Sequence, residues 1–261
     1  MAPTTLKVYF LLSIVGVMSH FAKLCTCYLF NESGVFQPAV ATWYGLPLGA
    51  GTGGGCGFGD DDVGNRPYSS LTAAGNNALF KGGKGCGACY KVRCTQNPAC
   101  SGVPVTITIT NQCPGACNNE AVHFDLSGTA FGNMAKPGQA NALRNVGRIN
   151  VDYQRVPCSY GTPIVFRVDK RANPFYFSTA IEYVNGDGDI GSAEIQPAGS
   201  NSWFPMQQVF GATYKFNIPS GVKGPYSIKI TTIEARRSVI AANVIPANWT
   251  PGQYYHSNVN F

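Results

Sequence analysis

All ten cysteines of this 261-residue chain precede residue 159. This asymmetry constrains the fold more than any other feature, provided the thiols are oxidised. Lys7 is followed by the apolar residues 8–18, too short a stretch to cross a bilayer, and the pattern reads as a secretory signal over residues 1–27. Cleavage is expected between Cys25 and Asn31. Export leaves Cys56, Cys86, Cys89, Cys94, Cys100, Cys113, Cys117 and Cys158 in an oxidising compartment, an even set that can pair completely. Residues 28–161 are therefore predicted to form a loop-rich, cross-linked domain, and residues 162–261 a second domain held by packing alone. The boundary falls near residues 159–163.

Composition favours strands and turns over amphipathic helices: Gly 31, Pro 17, aromatic 12% and charged only 12%. Loss of Lys7 and Lys23 with the signal takes the basic count from 19 to 17 against 13 acids, a net charge of about +4. So mild a charge gives no basis for nucleic-acid binding; it suits acidic polymers or simple solubility equally. No second apolar segment follows, so no membrane span is expected, and a monomer is expected.

Residues 103–110 alternate β-branched and polar side chains, the period of a strand. Ser127 can cap a helix running to Met134, with Gly138 beyond its end, and a second helix is predicted over residues 139–144, before Gly147. Residues 164–168, 179–184, 214–218 and 227–232 read as strands at regular spacing, the pattern of a β-sandwich.

Several motifs admit two chemistries. Cys86-Gly87-Ala88-Cys89 has the spacing of a redox pair or half a zinc site, but export favours structural bridges, and no ligand quartet accompanies it. No metal or cofactor is expected. His123-Phe124-Asp125 puts an imidazole and a carboxylate on one side of a strand, either as an oriented general acid or as an ordinary hydrogen-bonded pair. Asp60-Asp61-Asp62 reads as a solvated turn, and Gly186-Asp187-Gly188-Asp189 as a hairpin turn lacking the other ligands of a calcium loop. Tyr176 and Trp203 can stack on sugar rings or belong to the core. Asn31-Glu32-Ser33 and Asn248-Trp249-Thr250 are glycosylation sequons.

Ala41-Thr42-Trp43-Tyr44-Gly45, Gly54-Gly55-Cys56-Gly57, residues 83–90 and His123-Phe124-Asp125-Leu126-Ser127-Gly128-Thr129-Ala130-Phe131-Gly132, in this order, resemble the β-expansins of plants. The likeness continues through Gly186-Asp187-Gly188-Asp189-Ile190 and residues 243–249 to the C-terminus. It implies a mostly β chain: a six-stranded double-psi β-barrel similar to family-45 glycoside hydrolases, then an immunoglobulin-like β-sandwich that binds glucans. It implies the pairings Cys56–Cys86, Cys89–Cys158 and Cys94–Cys100; Cys113 and Cys117 remain and can pair across their short loop. The implied activity is non-hydrolytic loosening of the plant cell wall, with cellulose and glucuronoarabinoxylan as partners. Thr42, Trp43, Tyr44, Asn111, His123, Asp125, Tyr176 and Trp203 are the expected polysaccharide-binding residues.

The related hydrolases invert, which needs an acid and a second carboxyl to activate water. Asp125 matches the acid. No carboxylate stands from Thr42 through Cys56, and Asn111 occupies a position where the family usually has an aspartate, so no hydrolysis is expected. Rival expectations are a weak inverting glycosidase pairing Asp125 with one of Asp60 to Asp62, and a wall protein that only binds.

Overall fold

The computed structural model describes residues 35–261. The signal segment, Cys25, Cys27 and the Asn31 sequon lie outside the described residues. Six strands close a barrel: β1 (Gln37–Tyr44), β2 (Thr72–Gly75), β3 (Cys89–Arg93), β4 (Val105–Gln112), β5 (His123–Ser127) and β6 (Ile149–Val156), in the order β1-β5-β2-β4-β3-β6. Two pairs, β1 with β5 and β2 with β4, run parallel, and the remaining neighbours run antiparallel. Closure leaves no free sheet edge. Inward-facing Ala41, Ile107, Ile109, Phe124 and Leu126 fill the interior, and Phe131 of the following helix plugs it.

That helix, Gly128–Asn133, starts where predicted: the Ser127 hydroxyl accepts a hydrogen bond from the Ala130 amide at 3.0 Å. The same hydroxyl donates to the Ser70 carbonyl. Ser127→Ala should therefore cost about 1–2 kcal/mol, through one lost cap and one orphaned carbonyl, measurable as a shift in the urea midpoint. The second helix, Ala140–Val146, ends at Gly147. Four disulfides, Cys56–Cys86, Cys89–Cys158, Cys94–Cys100 and Cys113–Cys117, staple the loops around the barrel.

The remaining strands are β7 (Val165–Val168), β8 (Tyr176–Glu182), β9 (Ile190–Pro197), β10 (Phe204–Pro205), β11 (Gln207–Phe210), β12 (Thr213–Asn217), β13 (Tyr226–Thr232), β14 (Ser238–Ile245) and β15 (Tyr254–His256). They form a four-stranded sheet, β10-β9-β13-β14, packed on a five-stranded sheet, β11-β12-β8-β7-β15. Phe166, Phe177, Ile181 and Tyr214 from one sheet meet Ile195, Tyr226, Ile228 and Ile230 from the other. Each such fully buried side chain contributes about 1.5–3 kcal/mol, which is how this half manages without disulfides.

Barrel and sandwich are locked together. Cys158, bridged to Cys89, exchanges backbone hydrogen bonds with Gly186 at 2.8 and 3.0 Å. Tyr160 sits edge-on to Tyr68, with ring centroids 5.5 Å apart, and Tyr183 closes the aromatic cluster. Two local expectations change here. Residues 186–189 are no hairpin turn: they link β8 of one sheet to β9 of the other, Asp189 is fully buried and pairs with Arg155 of the barrel at 2.9 Å, and the Asp187 carboxylate accepts from the Ala235 amide. Gly188 is required, because a Cβ there would lie 2.2 Å from the Gly87 carbonyl oxygen. Nor is Asp60-Asp61-Asp62 a free turn. It opens a short helix, Asp60–Gly64, whose Asp62 reaches the sandwich by accepting from the Tyr254 hydroxyl at 2.9 Å.

Candidate functional site

Parallel pairing of β1 with β5 sets Thr42 beside Asp125 and Val40 beside His123. The Thr42 hydroxyl lies 2.6 Å from Asp125 Oδ1 and 2.8 Å from His123 Nε2. A hydroxyl has one proton, so when it donates to an ionised Asp125 the imidazole must donate to it from Nε2. His123 Nδ1 is then a buried acceptor without a partner. Burial holds this imidazole below the usual histidine range, against the pull of Asp125 and Glu120, which agrees with a neutral ring. Burial also raises the Asp125 carboxyl above the usual aspartate range; the Thr42 hydrogen bond and His123 act the other way. Asp125 therefore keeps its proton more readily than a free aspartate, and once ionised it is a strong hydrogen-bond acceptor.

The row continues across the barrel. Ala74 of β2 pairs with Asp125 on one side and with Asn111 of β4 on the other, so Thr42, Asp125, Ala74 and Asn111 stand abreast on four adjacent strands. Asn111 is two strands from Asp125, or about 10 Å. Its Oδ1 accepts from the Gly55 amide at 2.7 Å and its Nδ2 donates to Thr52 Oγ1 at 2.6 Å. Thr52 in turn donates its amide to the Tyr44 hydroxyl at 2.8 Å. Asn111 and Tyr44 therefore pin the 45–55 loop along the border of the row, where the tips of Leu46 and Leu48 stand exposed.

Trp43 does not join this row. Alternation along β1 turns it to the opposite face, where Nε1 donates to the Arg144 carbonyl at 2.9 Å and the ring packs near Phe131. Tyr176 and Trp203 do not share a face either. Tyr176 is on β8 of the five-stranded sheet, with Lys215 over its ring, whereas Trp203 covers Lys229 on the outer face of the four-stranded sheet. Beside the barrel, the aromatic side chain that faces outward with Tyr176 is Phe210 of β11, which pairs with Thr213 and is 39% exposed. A Cβ built on Gly57 would lie 3.1 Å from its ring. Sequence reasoning missed Phe210; its only signal is the short run Gln207-Gln208-Val209-Phe210 before Gly211, a strand edge broken by a β-bulge. Of the three carboxylates considered as partners for Asp125, Asp60 Oδ1 accepts from the Gly53 amide, Asp62 faces Tyr254 and Arg167, and Asp61 is exposed on the short helix between them. Asn248 is exposed on the far loop of the sandwich.

A model of the expansin C-terminal domain matches residues 164–246, and a double-psi barrel model described as lytic transglycolase matches residues 72–153. Expansin-B4 of Arabidopsis thaliana is 52% identical over 241 residues, spanning 90% of this chain and 92% of that protein. The chain belongs to the β-expansin family. Arabidopsis Expansin-B6 is 46% identical and aligns over the full length of both proteins, and maize Expansin-B1 is 47% identical over 239 residues. The expansin of Clavibacter michiganensis, solved in complex with cellohexaose, superposes with a TM-score of 0.65 over 87% of this chain and 98% of its own. At 21% identity that likeness is one of fold. Membership of the expansins supports a role in cell-wall loosening, and the barrel-plus-sandwich architecture is the one the family resemblance implies. No helix among the described residues is long and apolar enough to cross a membrane.

Proposed function

We propose that this β-expansin is a secreted protein of the plant cell wall that loosens it without cutting glycan chains. It holds a cellulose or glucuronoarabinoxylan strand along one surface and so competes with contacts between glycans. That surface starts at Thr42, His123 and Asp125, passes Asn111 and the 52–57 turn, and continues over Phe210 to Tyr176. The observation that carries this path is the seating of Gly57 against Phe210, with the Cys56 carbonyl accepting from the Ala212 amide at 2.8 Å. It supports reading the barrel row and the sheet face as one continuous surface. Aromatic rings on a fixed sheet stack on the apolar faces of sugars, and the barrel row supplies the directional hydrogen bonds. Trp203 is outside this path, and Trp43 supports it from behind.

Non-hydrolysis follows from the chemistry of inversion, which requires a second carboxyl placed to activate water. Support comes from the engagement of Asp60 and Asp62 in the loop and the domain junction.

The test is a paired assay on one preparation: extension of heat-inactivated grass walls under load, and release of reducing ends from the same walls. Extension without new reducing ends is expected. Time-dependent reducing ends would instead select the inverting glycosidase, and binding to cellulose or xylan without extension would select the wall protein that only binds. In cellulose pull-downs, Phe210→Ala and Tyr176→Ala should each weaken binding about two- to tenfold, whereas Trp203→Ala should leave it within about twofold of the parent. A Trp203 variant more damaging than the Phe210 variant would refute the path.

A further inference from the structure

The pole of the sandwich remote from the barrel is open. Residues 170–175 between β7 and β8, 218–225 between β12 and β13, and 246–253 between β14 and β15 meet there around a cleft of about 700 Å³. That volume lies within the range of small-molecule sites. The cleft opens onto the end of the core at Ala172, Ile218 and Tyr226, and its walls are Trp249, Phe175 and nearby prolines. Trp249 is already fixed: it meets Phe177 edge-on, ring centroids 5.4 Å apart. Phe175, by contrast, is 70% exposed at the lip.

The lining is poor in free hydroxyls. Tyr226 is buried in the core, and Asn173 accepts from the Phe175 amide at 3.0 Å, which leaves Ser220 as the exposed side-chain hydroxyl of the lining. A pyranose lodged here would bury hydroxyls without partners, at about 1–3 kcal/mol each. The charge is equally one-sided. The three loops contain Lys170, Arg171 and Lys223 and no Asp or Glu. Arg171 is neutralised by Asp169 at 3.2 Å, but Lys170 and Lys223 have no ion-pair or hydrogen-bond partner among the described residues. Lys223 lines the cleft, and the stem of Lys170 lies against Gly252.

We infer that this cleft binds planar aromatic carboxylates, with the ring between Trp249 and Phe175 and the anion towards Lys223 and Lys170. Such a ligand offers a flat apolar body, few hydroxyls and one negative end, which is the complement of the lining. The site is separate from the surface assigned to glycan.

The test is calorimetric titration of the full mature protein with 4-hydroxycinnamate, with saturation-transfer NMR to identify the ligand face in contact. Saturable one-to-one binding is expected. Phe175→Ala should weaken it about two- to tenfold. Lys170→Ala with Lys223→Ala should weaken it about two- to fivefold, as should replacing the acid by the neutral 4-hydroxycinnamyl alcohol. Phe210→Ala should change nothing. All four altered side chains stand at the surface, so the fold survives their loss. Failure to saturate at millimolar ligand, equal affinity in all variants, or displacement by cellohexaose would each overturn the assignment, the last by giving the cleft to sugar.

Discussion

Asp125→Ala is expected to slow wall extension at least about tenfold, with no change in reducing ends released from the same walls. An ionised carboxylate accepts hydrogen bonds from sugar hydroxyls, and bonds to charged groups are worth about 1.5–3 kcal/mol each, so losing one already costs tenfold or more. The fold should survive, because Asp125 is half-buried and the Thr42 hydroxyl keeps His123 as a partner. Asp125→Asn should behave differently. It preserves the geometry and most of the binding but removes a titrating group, so extension should lose the part of its pH dependence that comes from the raised Asp125 carboxyl. Extension by the alanine variant at the parental rate would show that the barrel row does not grip glycan.

The junction between barrel and sandwich should be most stable in acid, and Glu182→Gln should erase the difference. Glu182 is fully buried on β8, its Oε1 accepts from Arg167 Nε at 3.1 Å, and its Oε2 has no partner. Arg167 also faces Asp62 of the barrel at 3.7 Å and donates to the Gly57 carbonyl. One guanidinium thus serves two carboxylates at the domain interface, with Tyr68, Tyr183 and the Tyr254 hydroxyl around them. Burial first, and repulsion from Asp62 second, push Glu182 from the ordinary 4.5 up to about 7, although Arg167 opposes them. The folded protein therefore holds a proton that the unfolded chain releases between those two values. Stability from this group is full below about pH 4.5, falls as pH rises, and is gone above about pH 7, a change of about 3 kcal/mol. Urea unfolding at a series of pH values should show the slope, equivalent to about one proton, and the Gln variant should lack it. A variant with the parental slope would assign the titration to another group.

Local chemistry carried much of this molecule in readable form. Export plus an even cysteine set implied bridges, the β-branched alternation of residues 103–110 implied a strand, found over Val105–Gln112, and Ser127 marked a helix start because its hydroxyl answers the Ala130 amide three residues on. The approach of Thr42 to His123 and Asp125 was only half legible. Two-residue spacing puts His123 and Asp125 on one side, but strand periodicity does not say that Thr42, 81 positions before the first and 83 before the second, places its hydroxyl between them.

What the sequence determined by itself is therefore short-range: covalent cross-linking, strand and helix periods, caps, and the motifs that mark the family. Tertiary structure alone decided which aromatic faces which way. Tyr176 and Trp203 look alike in sequence but fall on opposite outer faces, because sheet membership depends on strand pairing over tens of residues. Asp62 looks like solvated charge, and Asp187 and Asp189 like part of a hairpin turn; all three are instead interfacial or buried, because their partners Tyr254, Ala235 and Arg155 arrive from distant parts of the chain. Periodicity and capping act over a few bonds, whereas burial and charge pairing depend on surfaces that exist only once the two domains have closed on each other.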